Sequence, residues 1–219
     1  MNEPIDELIV SLSENAQSIL EKKGHLDSVA MIVNKENKMI PCFFPHEVSE
    51  DKYAMYRALG EAMKEYDAER VVIISDAALR ILQNEKDIEH FKENAATEQP
   101  LSYPKSMRMD GILLVEIRPK TRSSEGYFKH YEELENAPSL FHDLLNLKDM
   151  PGMGGKLKEF GGEIFNNVME GYDGDSEKTS EVAFMKVPFN EDGLFPGETG
   201  IEGLGEPPVL PGIGSCYRT

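Results

Sequence analysis

Tryptophan is absent from this chain, and cysteine occurs only twice, as Cys42 and Cys216. One thiol lies in the body of the sequence and the other three residues from its end, so there is no disulfide framework to staple a small fold. Cys42 reads as a small buried hydrophobe. Basic residues are also scarce: 23 Lys and Arg stand against 40 Asp and Glu, for a formal charge of -17. A nucleic-acid binder neutralises phosphates with cations, and a field of this sign repels them. The densest basic group, Arg118, Lys120 and Arg122, reads as a solvated turn beside a strand. No apolar run approaches the ~20 residues that a membrane-spanning helix needs. The opening residues, Met1 to Glu7, are acidic where a secretory signal would be basic. Together these absences predict an acidic, soluble, cytoplasmic protein whose partner is another protein or a second copy of itself, with no nucleic acid and no membrane.

Glycine is scarce in one part of the chain and abundant in another. Fourteen of the 18 glycines lie from residue 151 onward. That change of composition at Met150-Pro151-Gly152 divides the chain into a globular region, 1–149, and a Gly- and Pro-rich acidic tail, 150–219, read as mostly disordered. A region of ~150 residues buries about two thirds of its unfolded surface, enough for a core without metal or disulfide support.

Within the body the apolar spacing is informative. Ile5, Leu8, Ile9, Leu12, Ala16, Ile19 and Leu20 follow the three-and-four rhythm of a helix over residues 4 to 23, with Asp6 and Glu7 at its start, Lys22 and Lys23 at its end and Gly24 as the stop. Ser28 to Val33 and Met39 to Phe44 flank a short polar link and predict a hairpin, with Pro41 marking its second strand as an edge. Ser49 is positioned to cap a second helix carrying Tyr56, Leu59, Met63 and Tyr66. Residues 70 to 75 form a β-branched run that predicts a strand buried on both faces. Asp76 is then expected to cap a short helix with Leu79 and Leu82 facing inward. Residues 84 to 106 are polar and broken by Pro100 and Pro104, an insertion within the body. Strands are expected at 111 to 117 and 126 to 134, followed by a short helix after Ser139 carrying Leu140, Phe141, Leu144, Leu145 and Leu147.

This order predicts an α+β single domain with a mainly antiparallel sheet of about five strands packed by helices. Profilin-like and roadblock-like domains share the order of elements, an analogy that carries no function. In the tail, Leu157, Phe160, Ile164, Phe165, Val168 and Met169 have helical spacing over 156 to 170, which needs a surface to lie on. Val182 to Val187 reads as a strand.

Chemistry-bearing motifs are mostly absent. Gly154-Gly155-Lys156 lacks the earlier glycine and the following Ser or Thr of a phosphate loop. Asp173-Gly174-Asp175-Ser176-Glu177 lacks the turn glycine and the final carboxylate of a calcium loop. His46-Glu47 has no second histidine at helical spacing, and the five histidines are scattered, so no metal site and no cofactor are expected. Ser102 and Lys105 are separated by Pro104, which argues for a loop rather than the helix start that a Ser-x-x-Lys nucleophile uses.

No catalytic residue is assignable from these patterns. Two readings follow. In the first the chain is an interaction or scaffolding module whose tail docks a partner through Phe160, Ile164 and Val168 and through a polyproline-type peptide around Pro208 and Pro211. In the second it is a small-molecule enzyme of hydrolase type, its cleft covered by 84–106, in which Asp76 and a histidine transfer protons.

Overall fold

The computed structural model describes residues 4–36, 38–43, 52–80, 107–134, 139–149 and 156–174. All of them belong to the first of the two units into which the chain divides, residues 1–188. Among the described residues, three helices and six strands follow in the order α1 (Glu7–Lys23), β1 (Val29–Asn34), β2 (Met39–Phe43), α2 (Lys52–Glu65), β3 (Ala68–Arg80), β4 (Arg108–Arg118), β5 (Ser123–Glu132), β6 (Leu140–Asn146) and α3 (Lys156–Asp173), with a 3-10 turn at Leu147–Asp149. The strands form one open sheet in the order β2-β1-β3-β4-β5-β6, antiparallel throughout. The protein is thus α+β.

α1 begins where the sequence supplies a cap. The Asp6 carboxylate accepts the Leu8 N–H at 2.8 Å, which satisfies one of the orphan donors of the first turn. The helix ends at Gly24, whose φ of 75° places it in the left-handed region while its N–H returns to the Leu20 carbonyl. Ile9, Leu12, Ala16 and Leu20 are buried along one stripe.

Strand alternation sends Ala30, Ile32, Val71, Ile73, Leu113, Val115, Ile117 and Phe128 to one face, where they form the main core with Leu59 and Met63 of α2 and Ile164 and Val168 of α3. Val29, Met31, Val72, Ile74, Ile112 and Leu114 point to the other face and are equally buried. The central strands are therefore apolar on both sides, as the run at 70 to 75 predicts. Cys42 is buried, and Pro41 lies in β2, an edge strand that needs no N–H from it on the open side.

Two predicted helices are strands. β3 does not stop at Ser75 but continues to Arg80, paired with β4 along its length from Val71↔Ile117 to Arg80↔Arg108. Asp76 therefore lies inside a strand, opposite Ile112, and caps nothing. The residues after Ser139 form β6, not a helix. Between the pairs Lys129↔Leu144 and Tyr131↔Phe141, β5 advances two residues and β6 advances three. This β-bulge brings Phe141 and Leu144, three apart in sequence, to the same face, a spacing that reads as helical in a linear sequence.

The helix expected at 156 to 170 is present as α3, and the surface it lies on is α2. The two helices meet at glycines. A Cβ on Gly60 would fall on the Val168 carbonyl oxygen, and one on Gly171 would fall on the Arg57 carbonyl. A polar contact ties the same pair, Lys64 Nζ donating to the Gly174 carbonyl at 2.8 Å, while Arg122 at the β4–β5 turn anchors α3 to the sheet through a two-pronged pair with Asp173, both bonds 3.0 Å. The described residues thus include α3, which lies within the region 150–219 set apart by composition. No described helix is long and apolar enough to cross a membrane. The Ser49 cap, the 84–106 insertion and the strand expected at 182–187 lie outside the described residues.

Candidate functional site

Titratable side chains gather where β3, β4, β5 and β6 run together, and the sheet divides them into two groups. On the face shared with α1, the Tyr131 hydroxyl donates to Asp76 Oδ1 at 3.1 Å, bridging β3 and β5 across Ile112 of β4. Asp76 keeps part of its surface open to solvent. Even so, desolvation pushes its carboxyl above the usual range against the Tyr131 hydrogen bond, with the neighbouring Asp110 and Glu133 adding to the rise. Arg108 pairs with Asp110 at 3.0 Å beside it. Burial likewise raises the Tyr131 phenol, and the Asp76 carboxylate adds to it.

On the opposite face, His130 of β5 and His142 of β6 stack with ring centroids 4.8 Å apart and planes inclined by 11°. Glu132 Oε1 lies 3.0 Å from His142 Nε2 and 3.8 Å from His130 Nε2. His130 Nδ1 is 2.8 Å from the Asp110 carbonyl oxygen. A carbonyl only accepts, so Nδ1 carries the proton, and in the neutral ring Nε2 keeps its lone pair. The β6 bulge sets His142 beside His130 although they are twelve residues apart, which is why the linear pattern gives no sign of the cluster.

Among the described residues, neither His130 nor its stacking partner His142 faces Asp76. His130 pairs with Gly111, which pairs with Ala77, so its side chain leaves the sheet on the face opposite Asp76. His46 lies outside the described residues.

The tail residues expected to hold a partner are placed differently from one another. Ile164 and Val168 are buried in the main core. Phe160 belongs to the first turns of α3, with its side chain outside the described set, as are Pro208 and Pro211. Each cation of the basic turn has an acidic partner: Arg118 with Glu116, Lys120 with Asp67 and Arg122 with Asp173.

The outer strand β6 completes the picture. Leu140 and Leu145 are 49% and 46% exposed on it, and Leu134, two residues beyond the end of β5, is 46% exposed. Three of the five large exposed hydrophobics among the described residues therefore lie in or beside this edge. The fold and these residues define an open antiparallel α+β domain with one blunted edge and one apolar edge. Compared with known proteins, the chain matches no family, no curated sequence and no solved structure.

Proposed function

We propose that this chain is a protein-interaction module that joins a second copy of itself along β6. The observation that carries the reading is the contrast between the two sheet edges. β2 is short and contains Pro41, features that discourage strand addition, whereas β6 presents Leu140 and Leu145 on a strand whose outer side pairs with no other described strand.

The bulge makes the edge complementary to itself. In the twofold antiparallel pairing that sets Leu140 opposite Leu145 of the second copy, Phe141 falls opposite Leu144 and His142 opposite Asp143. Both apolar pairs join side chains of like face, because the bulge has already reversed the alternation between Phe141 and Leu144. The twofold repeats each contact.

The test is sedimentation of the full chain beside Leu145→Lys, an edge cation that opposes strand addition and, at an exposed position, leaves the core intact. A dimeric parent and a monomeric, folded variant support the reading; a monomeric parent at every concentration, or an equally dimeric variant, contradicts it. Phe160, Pro208 and Pro211 are proposed as a separate contact for a protein partner, supported by the polyproline form of residues 207–211. Pro208→Ala with Pro211→Ala in the full chain should weaken capture of that partner while leaving dimerisation unchanged.

A further inference from the structure

The second cluster at this end of the sheet calls for a different ligand. Two imidazoles and a carboxylate, drawn from adjacent strands, place their donor atoms within 4.8 Å of one another. An ordinary surface ion pair needs one histidine and one acid; here a single carboxylate oxygen lies between two Nε2 atoms. A tetrahedral ion with bonds of ~2.0–2.1 Å holds its donors ~3.3 Å apart. The Glu132 Oε1 separations of 3.0 and 3.8 Å bracket that spacing.

The support behind the ligands is also of the expected kind. A metal-binding imidazole normally donates its other N–H to a carbonyl or carboxylate, which fixes the tautomer and aims the ring. His130 does so to the Asp110 carbonyl, part of the β3–β4–β5 ladder and therefore rigidly held. The donor set selects the ion. Two imidazole nitrogens with one oxygen suit borderline first-row divalent ions and offer too few oxygens for calcium or magnesium.

We propose that His130, Glu132 and His142 form a binding site for a divalent transition metal of the zinc type. Three protein ligands leave a fourth position open to water or to a further group. The inference is independent of self-association, since all three ligands come from one chain.

The test is calorimetric titration of zinc into the chelator-treated full chain, with His130→Ala, His142→Ala and Glu132→Gln as variants and circular dichroism as the check on folding. One zinc per chain is expected. Each histidine variant should weaken binding by more than ~100-fold and Glu132→Gln by about 10-fold or more, while calcium in excess should not compete. Nitrogen NMR of the imidazoles should show a zinc-induced shift at the Nε2 of two histidines only, and both shifts should vanish in the His130→Ala, His142→Ala double variant. The monomeric Leu145→Lys variant should bind zinc as the parent does. A parent that takes up no zinc, or a double variant that binds it with unchanged stoichiometry and affinity, would overturn the proposal.

Discussion

Among the described residues, Glu116 is the one carboxylate taken almost wholly out of water, at 1% exposure, and the residues around it explain how that is tolerated. Arg118 reaches both of its oxygens, each at 3.1 Å, and Arg70 reaches Oε1 at 3.1 Å. Arg70 also donates to Asp6 Oδ2 at 2.7 Å, so one guanidinium joins the cap of α1 to two central strands. Breaking such an arrangement from one side leaves a buried charge short of a partner, which costs more than the pair contributes when intact. Arg70→Ala should destabilise the fold by about 3 kcal/mol, less than a complete loss because Arg118 remains. Adding Glu116→Gln should restore part of the loss, and chemical unfolding of the four members of the cycle measures it.

The same contact predicts a pH effect. The hydrogen bond from Arg70 holds the Asp6 carboxyl below its ordinary value of 3.8. Its folded pKa is depressed, so the stabilisation is present above the unfolded value and is lost as pH falls through the folded one. NMR titration should place the Asp6 midpoint below 3.8 in the parent and return it toward that value in Arg70→Ala. An Asp6 midpoint unchanged by the substitution would show that Arg70 does not set it.

At the scale of elements, the crossing of α2 and α3 depends on the absence of two side chains. Gly171 sits on the Arg57 carbonyl with no room for a methyl, whereas Gly162, in the same helix, has open space where its Cβ would stand. The two positions make opposite predictions from one substitution. Gly171→Ala must push the helices apart and should cost about 3 kcal/mol. Gly162→Ala gains helix propensity without a clash and should stabilise by about 1 kcal/mol. Thermal unfolding separates them: a loss at both positions, or at neither, would contradict the packing described for α3.

Which elements the sequence announced follows from how local their causes are. α1 carries its own cap, stripe and stop, and β1, β2 and β4 are apolar runs bounded by polar residues, so each could be read alone. The second half of β3 could not, because Asp76 is a plausible cap until Tyr131, fifty-five residues away, is seen to donate to it. β6 imitated a helix because the bulge converts a period of two into a spacing of three. Gly60 and Gly171 carry no pattern of their own; their need for smallness exists only where two helices meet. The histidine cluster was illegible for a related reason: only the β5–β6 register makes His130 and His142 neighbours.

For the whole molecule, the six-stranded sheet has two edges of opposite character. One is short and carries Pro41, and the other displays Leu140 and Leu145 along a bulged strand. Edge pairing of this kind would extend the sheet continuously across the twofold and close both apolar edges at once, leaving only the blunted β2 edges outside. The core of each copy would remain unchanged, which is why Leu145→Lys separates association from folding.

Backbone hydrogen exchange tests that claim most directly, because strand addition protects edge amides and only at concentrations where copies meet. The account predicts that peptides covering Leu140–Asn146 exchange more slowly in concentrated than in dilute samples, while those covering Met39–Phe43 at the other edge show no such dependence. Exchange along β6 that is independent of concentration, in samples spanning both regimes, would contradict self-association through this strand.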